Sequence, residues 1–224
     1  MNLRGKEVII AGNGKIPSGF QLKSEFKNNV IFVAVNGGTK HIIKQNLLPH
    51  IIIGDLDSLS SSARSKVLHY DIPVITYPRD KDATDLELAL QYVINMVPKE
   101  IILIGALGGR WDQSFANICL LEKCVNKQIK CRIVDGQTTI RLINKDVTFK
   151  ASFGEIVSLQ PLSTEVIGIN TKGLKFPLKN AALYWFASRG ISNVTIKPYV
   201  KISIENGSLL IFHTKKKKTH SPGG

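Results

Sequence analysis

Through its first 135 residues the chain alternates short, β-branched apolar runs with amphipathic stretches, and that alternation leaves few folds open. The runs at 8–11, 30–35, 51–53, 74–75, 101–104 and 129–134 are bounded by turn residues and too short for buried helices. Each reads as a buried strand. Helix-period stretches at 38–46, 61–69, 85–97 and 113–125 lie between them. Strand alternating with helix predicts a parallel sheet with helices on its faces. Ligands of such sheets sit at the carboxyl ends of the strands.

After about residue 145 the pattern changes. Short β-rich runs at 156–159, 165–169, 174–176, 182–186, 194–196, 200–204 and 209–212 follow one another with no helical stretch between. Gly154, Pro161, Gly168, Gly173, Pro177 and Gly190 punctuate them, and Asn206-Gly207 reads as a hairpin turn. The expected architecture is therefore an α/β parallel-sheet domain over 1–145, followed by a small all-β sandwich or barrel over 146–214. The last stretch, 215–224, begins with Lys215–Lys218 and reads as a solvated, disordered basic tail.

Composition narrows the function. At 43% hydrophobic and 21% charged residues the chain can build real cores and is not disordered. No apolar run approaches the roughly 18 residues of a membrane span, and the N-terminus has no signal-like apolar region. Three cysteines with no CxxC pair indicate neither a disulfide framework nor a zinc site, so a cytoplasmic protein is expected. The net charge of +13 divides into +6 over 1–150 (20 basic, 14 acidic) and +7 over 151–224 (10 basic, 3 acidic). Four of those last ten bases are the lysine run, which argues against a nucleic-acid-binding module. The more informative asymmetry is that 14 of 17 carboxylates fall in the first part.

Several of them are clustered where a ligand would bind. Ile51–Ile53 ends in Gly54 and then Asp55 and Asp57, two carboxylates at i and i+2 that extended backbone points to one side. They are either Mg²⁺ ligands or an acidic turn with Asp57 and Ser58 capping the next helix. Asp82, Thr84 and Asp85 open the next helix, where Thr84 and Glu87 form a capping box. Asp82 and Asp85 exceed what capping requires, although a helix start tolerates carboxylates by itself. Gly108, Gly109 and Arg110 make a glycine-rich loop with a fork donor suited to phosphate, ahead of Asp112 and Gln113. Asn36-Gly37-Gly38 is a similar strand-to-helix loop, whereas Gly12-Asn13-Gly14-Lys15 matches no nucleotide motif. Acidic pairs and phosphate-friendly loops on one sheet edge describe a Mg-nucleotide transferase.

The order of these motifs resembles the thiamine pyrophosphokinase family. The residues that carry the resemblance are Asn36-Gly37-Gly38, Gly54-Asp55-Leu56-Asp57-Ser58, Asp82-Ala83-Thr84-Asp85-Leu86 and Gly108 to Gln113. Gly173 to Leu178 and Ser188 to Asn193 continue it to the C-terminal part. The resemblance implies pyrophosphoryl transfer from ATP to the hydroxyl of thiamine, giving thiamine diphosphate and AMP. It also implies a homodimer whose sites form between subunits, with no nucleic acid and no membrane. Asp55, Asp57 and Asp85 would hold Mg²⁺, with Asp112 beside them as a further catalytic group. Asn36, Gly37, Gly38, Asp82, Thr84, Gly108, Gly109, Arg110 and Gln113 would bind ATP. Phe176, Ser192 and Asn193 would contact thiamine. Asn36 departs from the family, which usually has aspartate there, so a catalytically impaired relative that binds nucleotide or thiamine is the second reading.

Overall fold

The computed structural model describes residues 2–17, 20–22, 26, 30–55, 57, 59–78 and 80–216. The chain divides into two compact units, Met1–Gly136 and Gln137–Gly224. The division falls ahead of the expected boundary at 145, because 138–143 is already a strand of the second unit.

Among the described residues the first unit has six strands, all parallel, in the order β6-β5-β1-β2-β3-β4. They are β1 (Glu7–Ala11), β2 (Val30–Val35), β3 (Ile51–Ile53), β4 (Val74–Ile75), β5 (Glu100–Ile104) and β6 (Lys130–Asp135). Val8, Ile9 and Ile10 of the central β1 are all fully buried, as a sheet covered on both faces requires. The helices are α1 (Thr39–Ile43), α2 (Ser61–His69), α3 (Asp85–Ile94), α4 (Trp111–Cys119) and α5 (Leu121–Asn126). α3 buries Leu86, Ala89, Leu90, Val93 and Ile94, a stripe at helical spacing that faces the core. Its cap is Thr84, whose Oγ1 accepts from the Glu87 amide at 3.2 Å. The reciprocal half of the box is missing, since Glu87 pairs instead with Lys123 at 2.9 Å. α2 is capped by Ser60, not by residues 57 and 58. The stretch 113–125 is two helices that meet at Leu120.

From β1 the chain runs outward through β2 and β3 to β4, then returns to the other side of β1 with β5. That reversal puts a topological switch point between β1 and β5, where the loops leaving the two strands part. Among the described residues no helix is long and apolar enough to cross a membrane. Cys119, Cys124 and Cys131 are free thiols. Hydrogen bonding with Cys124, then burial, holds the Cys131 thiol well above its usual range and therefore neutral.

The second unit contains two four-stranded antiparallel sheets, β12-β9-β14-β7 and β11-β10-β13-β8. Their strands are β7 (Thr138–Ile143), β8 (Val147–Lys150), β9 (Ile156–Pro161), β10 (Glu165–Lys172), β11 (Ala181–Tyr184), β12 (Asn193–Val194), β13 (Tyr199–Ser203) and β14 (Leu209–Thr214). Val157, Leu159, Leu209 and Ile211 of one sheet pack with Val166, Ile169, Val200 and Ile202 of the other, which makes a sandwich. Asn206-Gly207 does not close a hairpin. The strands on either side of it, β13 and β14, lie in different sheets, and Asn206 bridges Ile167 instead. The run at 174–176 is an isolated bridge from Leu174 to Thr195 and not a strand. Of the expected tail, the Lys215 amide still donates to the Gln137 carbonyl at 3.0 Å, and residues 217–224 lie outside the described part.

Candidate functional site

The loops leaving β1 and β5 are stitched together by backbone. The Gly12 amide donates to Ile104 O at 2.8 Å and the Gly14 amide to Gly105 O at 2.7 Å. A Cβ at Gly12 would stand 2.6 Å from the Gly105 carbonyl oxygen, so only glycine permits this approach. The strand-to-helix loop after β2 packs down in the same way: a Cβ at Gly38 would overlap the Ala11 carbonyl, and one at Gly37 would overlap the Asn13 side chain. Gly37 and Gly38 are thus buried under the end of β1 and do not line the space above it.

That space is a cavity of about 560 Å³ at the switch point. Asn36, Thr84, Gly108, Gly109, Arg110 and Gln113 of the expected ATP site line it, and so does Asp85 of the expected metal site. Gly12, Asn13, Gly14, Lys81 and Asn117 line it as well, though the sequence reading assigned them no role. The only signal for the first three was a glycine pair after a strand, which fits no named motif. Asn117 donates to Ala106 O at 2.7 Å and Ser114 Oγ accepts from the Gly108 amide at 3.1 Å, so α4 shapes the glycine-rich loop. His41 reaches the Gly14 carbonyl at 2.8 Å through Nε2, and burial pushes its imidazole below its usual pKa, outweighing the opposite pull of that hydrogen bond.

The charges of the cavity are already paired. Asp85 receives Asn36 Nδ2 on Oδ2 at 2.7 Å and Lys81 Nζ on Oδ1. Asn36 holds this position with φ +47°, a left-handed conformation that asparagine tolerates better than most residues. Its Oδ1 is buried and has no hydrogen-bond partner, and a Cβ at Gly54 would overlap that atom. Arg110 pairs with Asp112, donating from Nε at 3.1 Å and through a second nitrogen. That hydrogen bond raises the Arg110 pKa and lowers that of Asp112. Asp55 follows Gly54 and is exposed; Asp57 is exposed and 3.6 Å from Arg64. Asp55, Asp57, Asp82 and Asp112 are not among the residues that line the cavity.

Among the described residues no three His, Cys, Asp or Glu side chains are gathered closely enough to cage a metal ion. Mg²⁺, however, commonly takes one or two carboxylates and completes its shell with water and substrate phosphates. The Asp85 carboxylate and the unpartnered Asn36 Oδ1 are hard oxygen donors of that kind, so these residues fit an ion that arrives with phosphate.

In the second unit Phe176 is exposed, which removes it from the sandwich core. Its backbone amide donates to Asn193 Oδ1 at 3.1 Å, and Asn193 Nδ2 donates to its carbonyl at 2.6 Å. Both ends of the Asn193 carboxamide are thus spent on presenting the Phe176 loop. Ser192, at φ +60°, anchors the same turn through its amide to Ser158 Oγ at 2.9 Å. The Lys175 ammonium sits over the Phe176 ring at 5.5 Å, a face that accepts a cation.

A parallel α/β unit with a glycine-lined cavity at its switch point, followed by an antiparallel sandwich, defines a two-domain protein whose first unit has the form of the ligand-binding α/β sheets. Residues 22–133 match the catalytic domain of thiamin pyrophosphokinase and residues 138–209 its vitamin B1 binding domain, so the chain belongs to the thiamin pyrophosphokinase family. It is 29% identical over 215 residues to a thiamine pyrophosphokinase of Bacillus subtilis, covering 92% of this chain and 97% of that one. The crystal structure of thiamine pyrophosphokinase from Bacillus subtilis superposes with a TM-score of 0.86 at 26% identity, covering 95% of this chain and all of that one. That of thiamin pyrophosphokinase from Geobacillus thermodenitrificans gives 0.82 at 27% identity, over 95% and 99% of the two chains.

Proposed function

We propose that the protein transfers the pyrophosphoryl group of ATP to the hydroxyl of thiamine, giving thiamine diphosphate and AMP. The observation that supports this reading is the switch-point cavity in a chain that carries both family domains in order. ATP is assigned to that cavity, with Asn36, Thr84, Gly108, Gly109, Arg110 and Gln113 around it, Gly37 and Gly38 packed behind it, and Asp82, two residues before Thr84, as a further proposed contact.

The thiamine oxygen bonds to the β-phosphorus while the bond from that phosphorus to the α,β-bridging oxygen breaks. AMP leaves with the bridging oxygen, and the hydroxyl proton passes to a site carboxylate and then to water. Such a displacement needs in-line placement and charge neutralisation more than covalent help. Arg110 and the Gly109 amide face phosphate oxygens once Arg110 exchanges Asp112 for them, while the Gly108 amide stays on Ser114 Oγ and shapes the loop. Asp85, with Asn36 Oδ1 beside it, is the proposed first holder of Mg²⁺, and Asp55 and Asp57 of the Gly54 loop would join it only after moving inward; when bound, the ion neutralises phosphate charge. Phe176 offers its ring to the thiamine cation, with Asn193 and Ser192 setting the loop. By kinship the working form is a cytoplasmic homodimer with sites completed between subunits.

The decisive assay is AMP release. Purified protein given ATP and Mg²⁺ should form AMP only when thiamine is added, one AMP for each thiamine diphosphate. Tight thiamine binding without AMP release would instead favour an impaired relative.

A further inference from the structure

Two side-chain cations, Lys81 and Arg110, line the cavity among the described residues, and a polyphosphate entering it must meet them. They are not equivalent. The Arg110–Asp112 pair keeps 69% and 62% of its side-chain surface, so water and salt screen it and little holds it together. The Lys81–Asp85 pair keeps only 23% and 24%, in a setting where a lone charge is costly. Lys81 stands four residues before Asp85 in the segment that leads into α3, and its ammonium also lies 5.9 Å from the Tyr77 ring. Both oxygens of Asp85 are therefore occupied in the protein as it stands, one by Lys81 and one by Asn36.

We propose that Lys81 is a phosphate-binding residue whose ion pair with Asp85 keeps that carboxylate from a cation until a polyphosphate arrives. This inference deepens the reading of the cavity as an ATP site and rests on it. On binding, the Lys81 ammonium exchanges the Asp85 oxygen for phosphate oxygens, one charge-assisted hydrogen bond for another. Asp85 keeps its place through Asn36 Nδ2, and its Oδ1 becomes free for a divalent cation. Cation and nucleotide then bind as a unit: either alone meets a site already neutralised from within. Asn36 suits this role because its amide donates to Asp85 without bringing a positive charge that would compete with the cation for the carboxylate.

The test uses the whole chain, with Mg²⁺ and the uncleavable analogue α,β-methylene-ATP as probes, read by thermal melting and calorimetry. For the wild-type protein, Mg²⁺ alone should leave the melting temperature unchanged, while Mg²⁺ and analogue together raise it. In Lys81→Gln, Mg²⁺ alone should now raise it, reversibly with chelator, and analogue affinity should fall about ten-fold or more. Asp85→Asn supplies the opposite arm: it releases Lys81, so the analogue without Mg²⁺ should bind at least as tightly as to wild type. The proposal is overturned if Lys81→Gln binds the analogue like wild type, if Mg²⁺ alone stabilises wild type and Lys81→Gln equally, or if Asp85→Asn weakens Mg²⁺-free binding. These arms decide on Lys81 whether or not the wild-type chain makes thiamine diphosphate, so failure of the functional reading is separable.

Discussion

At the scale of single residues the motif positions divide into those that face the ligand and those that hold the facing groups. Phe176 and Asn193 show the division, because the Asn193 carboxamide bonds the Phe176 backbone at both ends. Phe176→Ala should raise the KM for thiamine by a stacking and burial term on the order of 1–3 kcal/mol, roughly 5- to 150-fold, with the KM for ATP little changed. Asn193→Ala should raise the same constant, and the double variant should be no worse than Phe176→Ala alone, since Asn193 acts through the ring. Additive losses in steady-state kinetics would give Asn193 its own contact with thiamine. A second case is Gly54, where a Cβ would overlap the orphaned Asn36 oxygen at a backbone φ of +112°. Gly54→Ala should therefore cut turnover at least as much as Asp85→Asn, about 100-fold, by displacing Asn36 from Asp85. Turnover within a few-fold of wild type would remove that coupling. The sequence alone shows Asn36, Asp85 and Gly54 as motif letters. Their mutual contact joins loops after different strands, which periodicity and spacing do not encode. Lys81 was hidden for a similar reason, as one of 30 basic residues with nothing local to mark it.

Elements were legible where one local rule decided them. α3 follows from its apolar stripe and its Thr84 cap, and Thr84→Ala should cost about 1 kcal/mol of stability, read by denaturant melts. The Asn206-Gly207 turn misled because hairpin chemistry fixes the turn and not the partner: Ile167 takes up Asn206, and the chain crosses to the opposite sheet. A buried polar cluster holds the end of β14 and carried no motif at all. His213 Nε2 meets Glu155 Oε2 at 2.6 Å, and the same Glu155 oxygen accepts the Ser152 amide at 2.9 Å. The Glu155 amide donates to Thr195 Oγ1 at 2.8 Å, and Phe149 lies 5.0 Å from the His213 ring. Burial raises the Glu155 pKa, but the bonds from Ser152 and His213 outweigh it and hold the carboxyl below its ordinary 4.5. A depressed carboxylate adds stability above its unfolded pKa and loses it as pH falls through the folded one. Glu155→Gln should therefore melt below wild type above about pH 5, and the margin should shrink as pH drops below 4.5. A margin that grows on acidification would mean the carboxyl is protonated in the folded protein.

For the whole molecule, the α/β-then-β order was readable because the hydrophobic period switches from mixed to purely short-range. The boundary slipped because Thr138–Ile143, with Arg141 inside it, lacks the clean apolar run of its neighbours. Assembly is written less directly, in the large apolar side chains left outside. Trp185 and Phe186 are 60% and 74% exposed, and Phe186 stacks on Tyr184 with ring centroids 5.7 Å apart. A sandwich of this size rarely leaves such a cluster to water unless another surface covers it. The homodimer proposed above would supply one, and Trp185→Ser with Phe186→Ser should then lower the mass seen by light scattering at assay concentration. If each site takes its ATP residues from one chain and its thiamine residues from the other, complementation follows. Assayed at thiamine well below the raised KM of Phe176→Ala, where each variant alone works far below wild type, Asp85→Asn and Phe176→Ala chains should regain activity when mixed and allowed to exchange. In the hybrid one site carries both substitutions and the other carries neither. With random pairing half the dimers are hybrids, so the ceiling is about a quarter of wild-type turnover. Recovery near that value demands shared sites, whereas none despite proven exchange would show that each chain completes its own.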